Sequence, residues 1–224
     1  MATMHYQAVL FDLDGTLLDT LEDLADSTNA ALRRLGFPEH PLAAFRYFVG
    51  DGMENLVRRA LPSQQQSPPA VAECLTLVRQ EYSARWAMKT RPYAGIPELL
   101  DGLAARGIAM AVLSNKPHEF TQLCVSRLLP RWQFRHVLGA QPSLPGKPDP
   151  AGALTISRQM GLAPKQFIYL GDTNTDMQTA VAAGMLPVGA TWGFRTPDEL
   201  LKFGAKVLLK KPTELLDVLD RAPS

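Results

Sequence analysis

Short apolar runs and helical repeats alternate along most of the chain. The runs are "AVLF" (8–11), "GIAMAVLS" (107–114), "RHVLGA" (135–140), "QFIYLGD" (166–172), "MLPVGAT" (185–191) and "AKVLLKK" (205–211). Several are apolar at consecutive positions, as in a strand with both faces covered, which is how buried parallel strands read. Between most of them lie amphipathic segments, 97–106, 118–129, 150–160 and 175–183. Strand alternating with helix predicts an α/β fold, a doubly wound parallel sheet with helices on both faces.

The pattern changes between residues 20 and 90. "LEDLADSTNAALRRLG", "LAAFRYFVGDGMENLVRRAL" and "PAVAECLTLVRQEYSARW" carry apolar residues at helical spacing, with no convincing strand among them. "PSQQQSPP" (62–69) is polar and Pro-rich and is expected to be a loop inside this helical stretch. The organisation predicted is a discontinuous core of residues 1–17 and 91–224, interrupted after its first strand by a helical domain over 18–90.

Composition narrows the function classes. With 224 residues the chain can bury a sizeable core, and 46% hydrophobic, 20% charged residues and a net charge of +1 are ordinary for a globular protein. Lys and Arg are scattered, so nothing points to nucleic acid or to an anionic membrane surface. No apolar stretch approaches a membrane span, and "MATMHYQ" lacks the features of a signal peptide. Cys74 and Cys124 form no metal-ligand spacing and are expected to be free thiols, which suits a reducing cytoplasm.

The chemistry collects at strand ends. In an open parallel sheet ligands bind beyond the carboxyl ends of the strands. There the sequence places Asp12 and Asp14 after the first strand, Ser114 and Asn115 after "AMAVL", and Asp172 after "FIYLG". In "GKPDP" (146–150) Asp149 is predicted as an N-cap with Pro150 at the first helical position, which leaves Lys147 in the loop on the same face. Each feature alone is ordinary: a carboxylate can simply cap a helix, Ser-Asn can be a turn, and a loop lysine can face water. Together, three carboxylates on one small face repel one another unless a cation joins them.

"DLDGT", "SN", a Lys before a Pro, and "GDTNTD", in that order, resemble the four motifs of the haloacid dehalogenase superfamily. The resemblance covers essentially the whole chain. "SNKP", "GKPDP", "YLGDTNTDMQTAVAAGM" and "WGFRTPDEL" make it look closest to the phosphoglycolate phosphatase branch, and the helical stretch is similar to that family's first type of cap.

The resemblance implies a Mg²⁺-dependent phosphatase of a small phosphorylated metabolite, 2-phosphoglycolate first, working through an aspartyl-phosphate. Asp12 would be the nucleophile and Asp14 the acid and base. Mg²⁺ would be held by Asp12, Asp172 and the Asp14 backbone carbonyl. Ser114, the Asn115 backbone amide and Lys147 would meet the phosphate, and Lys147 is preferred to Lys116, which is assigned to a helix approach. Asp176 is expected to support the metal's waters or Lys147, and Thr16 to bond the backbone or Asp14. Arg46, Gly50 and Arg58 are candidate specificity residues, whereas His118, Trp192 and Arg195 are expected to be structural. A dehalogenase would not need Asp14, and a phosphonatase would need a cap lysine, of which there is only Lys89 at the cap's end. A β-phosphoglucomutase-like mutase shares all four motifs, another sugar phosphate could be the substrate, and a non-catalytic member would lack a motif acid. The expected species is a monomer or homodimer.

Overall fold

The computed structural model describes residues 6–221, so the signal-peptide expectation for the first residues and the outer ends of the predicted core lie partly outside the described residues. Six parallel strands form one sheet: β1 (Ala8–Phe11), β4 (Ala109–Pro117), β5 (His136–Ala140), β6 (Phe167–Gly171), β7 (Leu186–Ala190) and β8 (Val207–Leu209). Their order is β5-β4-β1-β6-β7-β8. The chain therefore leaves β1 to build one side of the sheet and returns to build the other. The crevice at such a reversal opens at the carboxyl end of β1.

β1 shows why the strands read as continuously apolar. Val9 and Phe11 enter one hydrophobic cluster with α5 (Ile96–Ala105), α6 (His118–Leu128) and α10 (Glu214–Arg221). Ala8 and Leu10 enter another with α7 (Ala151–Met160) and α8 (Asn174–Ala183). Successive side chains point to opposite faces and both faces are covered. α9 (Pro197–Lys202) packs against the β7 side. Neither α9 nor α10 is among the sequence-predicted elements.

Residues after β1 turn tightly through Gly15, whose φ of +90° suits a residue without a Cβ. The turn delivers the chain to β2 (Leu18–Asp19), which pairs antiparallel with β3 (Arg91–Pro92). Between these two crossings lie α1 (Leu21–Arg34), α2 (Leu42–Phe48), α3 (Met53–Ala60) and α4 (Pro68–Arg85). The second helical pattern is thus two helices, broken where Gly50 and Gly52 take positive φ. The 62–69 segment contains a 3₁₀ turn at Ser63–Gln65 before Pro68 starts α4. Leu21, Leu24, Phe45, Leu56, Val78 and Tyr82 belong to a separate hydrophobic cluster, joined by Phe194 from the loop after β7.

Buried Asp23 fastens the return crossing. It accepts hydrogen bonds from the Thr90 amide (2.8 Å) and hydroxyl (2.7 Å) and from the Lys89 amide (3.0 Å). Both cysteines are free and buried, and burial pushes each thiol up to about 11, which disfavours the reactive thiolate. No helix among the described residues is long and apolar enough to cross a membrane.

Candidate active site

Asp12 follows β1 directly, its amide donating to the Leu170 carbonyl of β6 at 2.9 Å. Asp172 is the first residue after β6. Asp176 is in the first turn of α8, where the capping box places it: its Oδ2 accepts from the Thr173 amide at 3.0 Å and from the Thr173 hydroxyl at 2.6 Å. The three acids are buried, and one oxygen from each lies within 4.8 Å of the others.

One ammonium serves this cluster. Lys147 Nζ lies 2.7 Å from Asp12 Oδ1 and 2.6 Å from Asp176 Oδ1, and its side chain is only 2% exposed. Burial would lower the lysine's pKa, but Asp12 and Asp176 overcome it and hold the group well above its usual range. Three carboxylates against one ammonium leave an excess of negative charge in a dry place. Burial, then Asp176, raises the Asp12 carboxyl well above its ordinary value, against the opposing pull of Lys147. Burial and Asp176 likewise raise Asp172 to about 7.

Asp172 is held in one orientation. Its Oδ1 accepts from Thr16 Oγ1 at 2.7 Å and its Oδ2 from the Phe194 amide at 2.8 Å. Gly15 and Gly193 close over it so tightly that a Cβ on either would overlap its carboxylate. Thr16 therefore does not bond the backbone or Asp14 as the sequence suggested. It reaches an acid 156 positions away.

Asp12 Oδ1 makes no hydrogen bond of acceptable geometry despite its ion pair with Lys147. A buried oxygen with spare lone pairs, inside an all-carboxylate set carrying excess negative charge, fits a hard divalent cation.

The remaining motif residues converge on the same place. Ser114, Asn115 and Lys116 line a hollow with Asp12, Asp14, Gly50, Gly52 and the apolar insert residues Leu24, Val49, Met53 and Leu56. The hollow is about 30 Å³, room for roughly one or two waters. The Asn115 side chain is a strut: its amide group donates to the carbonyls of Gly50 and Lys147, both at 3.0 Å, and its Oδ1 accepts from the Lys147 amide at 2.8 Å. One side chain thus ties the lysine loop to the insert.

Several expectations change. Lys116 does lead into a helix, but from within a strand: β4 runs on to Pro117, with a register shift after Leu113, and α6 begins at His118, while the Lys116 ammonium bonds Asp14. Pro150 takes the N-cap position of α7, while Asp149 Oδ1 accepts from the Ala151 amide at 2.8 Å, one residue off the predicted frame. Arg58 is not brought to the hollow. It pairs with Glu54 on an exposed face. Arg46 donates to the Gly193 carbonyl at 3.2 Å and lines a separate hollow of about 440 Å³ with Tyr93 and Trp192.

The His118 ring accepts from the Gly139 amide and the Trp192 ring donates to the Thr16 carbonyl. Buried Arg195 does more than expected: it donates to the carbonyls of Arg46 and Val49, gripping the segment before Gly50. No local signal marks that contact, because its partners are backbone atoms nearly 150 residues away.

A family model described as haloacid dehalogenase-like hydrolase matches residues 9–190. The chain belongs to that family. Among its relatives, a phosphoglycolate phosphatase of Pseudomonas putida is 37% identical over 83% of this chain and 70% of its own length. An N-acetylmuramic acid 6-phosphate phosphatase of Pseudomonas aeruginosa is 34% identical over 99% of this chain and 98% of its own. A haloacid dehalogenase-like hydrolase from Streptococcus pneumoniae superposes with a TM-score of 0.86 at 26% identity, covering 95% of this chain and 98% of its own. The chain is thus a hydrolase with the α/β fold of this family.

Proposed function

We propose that this hydrolase is a Mg²⁺-dependent phosphatase of small phosphorylated metabolites, with 2-phosphoglycolate as the first substrate to test. The observation that carries the reading is the buried cluster of Asp12, Asp172 and Asp176 sharing the Lys147 ammonium, set beside Asp14 and Ser114 at the sheet's carboxyl edge.

In this mechanism a carboxylate oxygen of Asp12 attacks phosphorus, the bond from phosphorus to the ester oxygen breaks, and Asp14 gives the departing alcohol its proton. Water then attacks the aspartyl-phosphate, Asp14 takes the water's proton, and phosphate leaves with Asp12 restored. The Ser114 hydroxyl and the Asn115 backbone amide donate to phosphoryl oxygens, and Lys147 offsets their charge. Asp12, Asp172 and the Asp14 backbone carbonyl would hold Mg²⁺, which supplies further positive charge to the phosphoryl oxygens. Asp176 holds Lys147, and Thr16 holds Asp172. Residues 18–90 act as a cap domain over a core of 1–17 and 91–224. Because the cap walls one side of the hollow, its closure over a bound substrate would exclude water from the reacting groups.

A second substrate reading, a phosphorylated sugar acid such as N-acetylmuramic acid 6-phosphate, is favoured by the end-to-end match to that enzyme and by the apolar cap wall over the site. Comparing kcat/KM for the two substrates, with phosphate release as the readout, decides between them. No Mg²⁺-dependent release from any phosphate ester would sink the phosphatase reading.

Metal removal gives a signed prediction. Asp172 has a folded pKa raised to about 7, so its contribution to stability is present at low pH and lost as pH rises from the ordinary carboxylate range through about 7. The metal-free protein should therefore melt lower at pH 8 than at pH 5. Mg²⁺ at about a hundred times its Kd should add about 2.7 kcal/mol, or roughly 5–10 °C, with the larger rise at pH 8. Activity should vanish with chelator and return with Mg²⁺, while larger, less strictly octahedral Ca²⁺ should inhibit. A melting temperature indifferent to Mg²⁺ at both pH values would count against the site.

The placement of Arg58 predicts a near-silent substitution. Arg58→Ala should change kcat/KM for 2-phosphoglycolate and p-nitrophenyl phosphate by no more than about twofold, as surface changes usually do. A KM rise confined to 2-phosphoglycolate would put Arg58 back in the specificity set.

A further inference from the structure

Lys116 has no part in the mechanism above, yet it is as enclosed as Lys147. Its ammonium lies 2.9 Å and 3.1 Å from the two oxygens of Asp14, and its side chain is 2% exposed. On its other side is the ring of Tyr82, with the ammonium 4.8 Å from the centroid. Tyr82 belongs to α4 in the cap and is fully buried, and its hydroxyl, with no other hydrogen-bond partner among the described residues, lies within reach of the same ammonium. The lysine's backbone is anchored in the core: its amide donates to Ser114 Oγ at 3.2 Å and its carbonyl accepts from Thr121 Oγ1 at 3.1 Å. One ammonium therefore joins a core carboxylate to a cap ring.

An ammonium is costly to bury unless it is paired. Both oxygens of Asp14 answer it, which fixes the carboxylate's rotation. The Tyr82 ring supplies the rest of the lysine's surroundings as a cation–π partner, a contact that strengthens as water leaves. Proton transfer demands that the donor sit within hydrogen-bond reach of the ester oxygen or the attacking water. A carboxylate free to rotate would spend much of its time out of reach. If the cap parts, α4 carries Tyr82 away and water reaches the lysine.

We propose that Lys116 is a positioning residue for Asp14, holding its carboxylate in the proton-transfer orientation only while Tyr82 is docked, so that cap closure switches on proton transfer. The proposal rests on the role given above to Asp14, and it implies that Lys116 acts through Asp14 alone.

The test is a double-mutant cycle read with p-nitrophenyl phosphate in rapid mixing. Its leaving group needs little proton assistance, so phosphoryl transfer to Asp12 and the later hydrolysis separate. Lys116→Met should keep the nitrophenolate burst near its wild-type rate while slowing steady turnover, by about 10- to 100-fold if the misplacement is of the order of 1 Å. The double variant Asp14→Asn with Lys116→Met should turn over no more slowly than Asp14→Asn alone. It leaves no unpaired charge, so it remains informative even if Lys116→Met folds poorly. Tyr82→Leu, which keeps the ion pair, should slow the same step several-fold.

Three results would overturn the assignment: equal losses in burst and turnover, a further loss on adding Lys116→Met to Asp14→Asn, or wild-type turnover in Tyr82→Leu. If Asp14→Asn itself turned over normally, the role of Asp14 would fall and Lys116 with it. If Asp14→Asn stalls and Lys116→Met does not, only the lysine assignment fails.

Discussion

Asp12→Asn should abolish turnover of every phosphate ester, and Asp14→Asn should stall half-way. The two carboxylates differ in surroundings although they are two residues apart. Asp12 lies in the acid cluster beside Lys147, whereas Asp14 faces Lys116 at the hollow lined by the helical insert. Loss of the Asp12 nucleophile leaves nothing to carry the phosphoryl group, so no phosphoenzyme should form. Asp14→Asn keeps that nucleophile and the Asp14 backbone carbonyl but removes the proton carrier. With an alkyl ester the first step should slow by about 10²- to 10⁴-fold, the usual worth of acid–base help. With p-nitrophenyl phosphate a nitrophenolate burst near one equivalent should precede slow turnover. The trapped label should be hydroxylamine-sensitive and should map to the peptide containing Asp12. Label on a histidine, or near-wild-type turnover by Asp12→Asn, would falsify the covalent aspartate mechanism.

Lys147→Met should cost both activity and stability, with the stability loss depending on pH. Its ammonium is the cation within reach of Asp12 and Asp176, and removing one partner of a buried ion pair typically costs about 3–5 kcal/mol. For a domain of this size that is a melting-temperature drop of roughly 6–20 °C, measured metal-free at pH 8. Asp12 and Asp172 already have raised pKa values, and loss of the lysine raises them further. Their charged forms are what the fold opposes, so the deficit should shrink as pH falls to 5 and the acids take up protons. Activity should fall by about 10²- to 10³-fold, comparable to losing a donor aimed at transition-state charge. An unchanged melting temperature at pH 8 would show that Lys147 does not compensate the acid cluster.

Some of this was legible from the chain alone. The β1 run is apolar at every position because its residues alternate between two covered faces, and burial is a property each residue records in its own type. The predicted strands and helices around it recur within a few residues of their predicted ends. The acids after β1 and β6 and the Ser-Asn pair in β4 mark the carboxyl edge because they recur together at the strand ends, where ligands bind in an open parallel sheet.

Partnership was not legible. Lys116, in a Ser-Asn-Lys-Pro stretch that reads as a turn, became strand because β5 offers a pairing edge as far as Ala140. Thr16 found Asp172 and Arg195 found the carbonyls before Gly50, each across a long stretch of chain, whereas the Lys147–Asp176 pair was one of the two partnerships expected for Asp176. The residues flanking the insert gave no sign that two-residue strands would pair there. Hydrophobic period reports whether a residue faces water or core, a choice made by that residue and its near neighbours. Which lysine answers which aspartate depends instead on where distant loops are set down, and a few ångströms in that placement decide between a buried ion pair and a solvated charge. The sequence by itself thus determined the six strands of the main sheet, most of the helices and the edge of the sheet that carries the chemistry. Only the tertiary structure decided that Thr16 orients Asp172, that Lys116 pairs with Asp14, and that Arg58 stays outside the site.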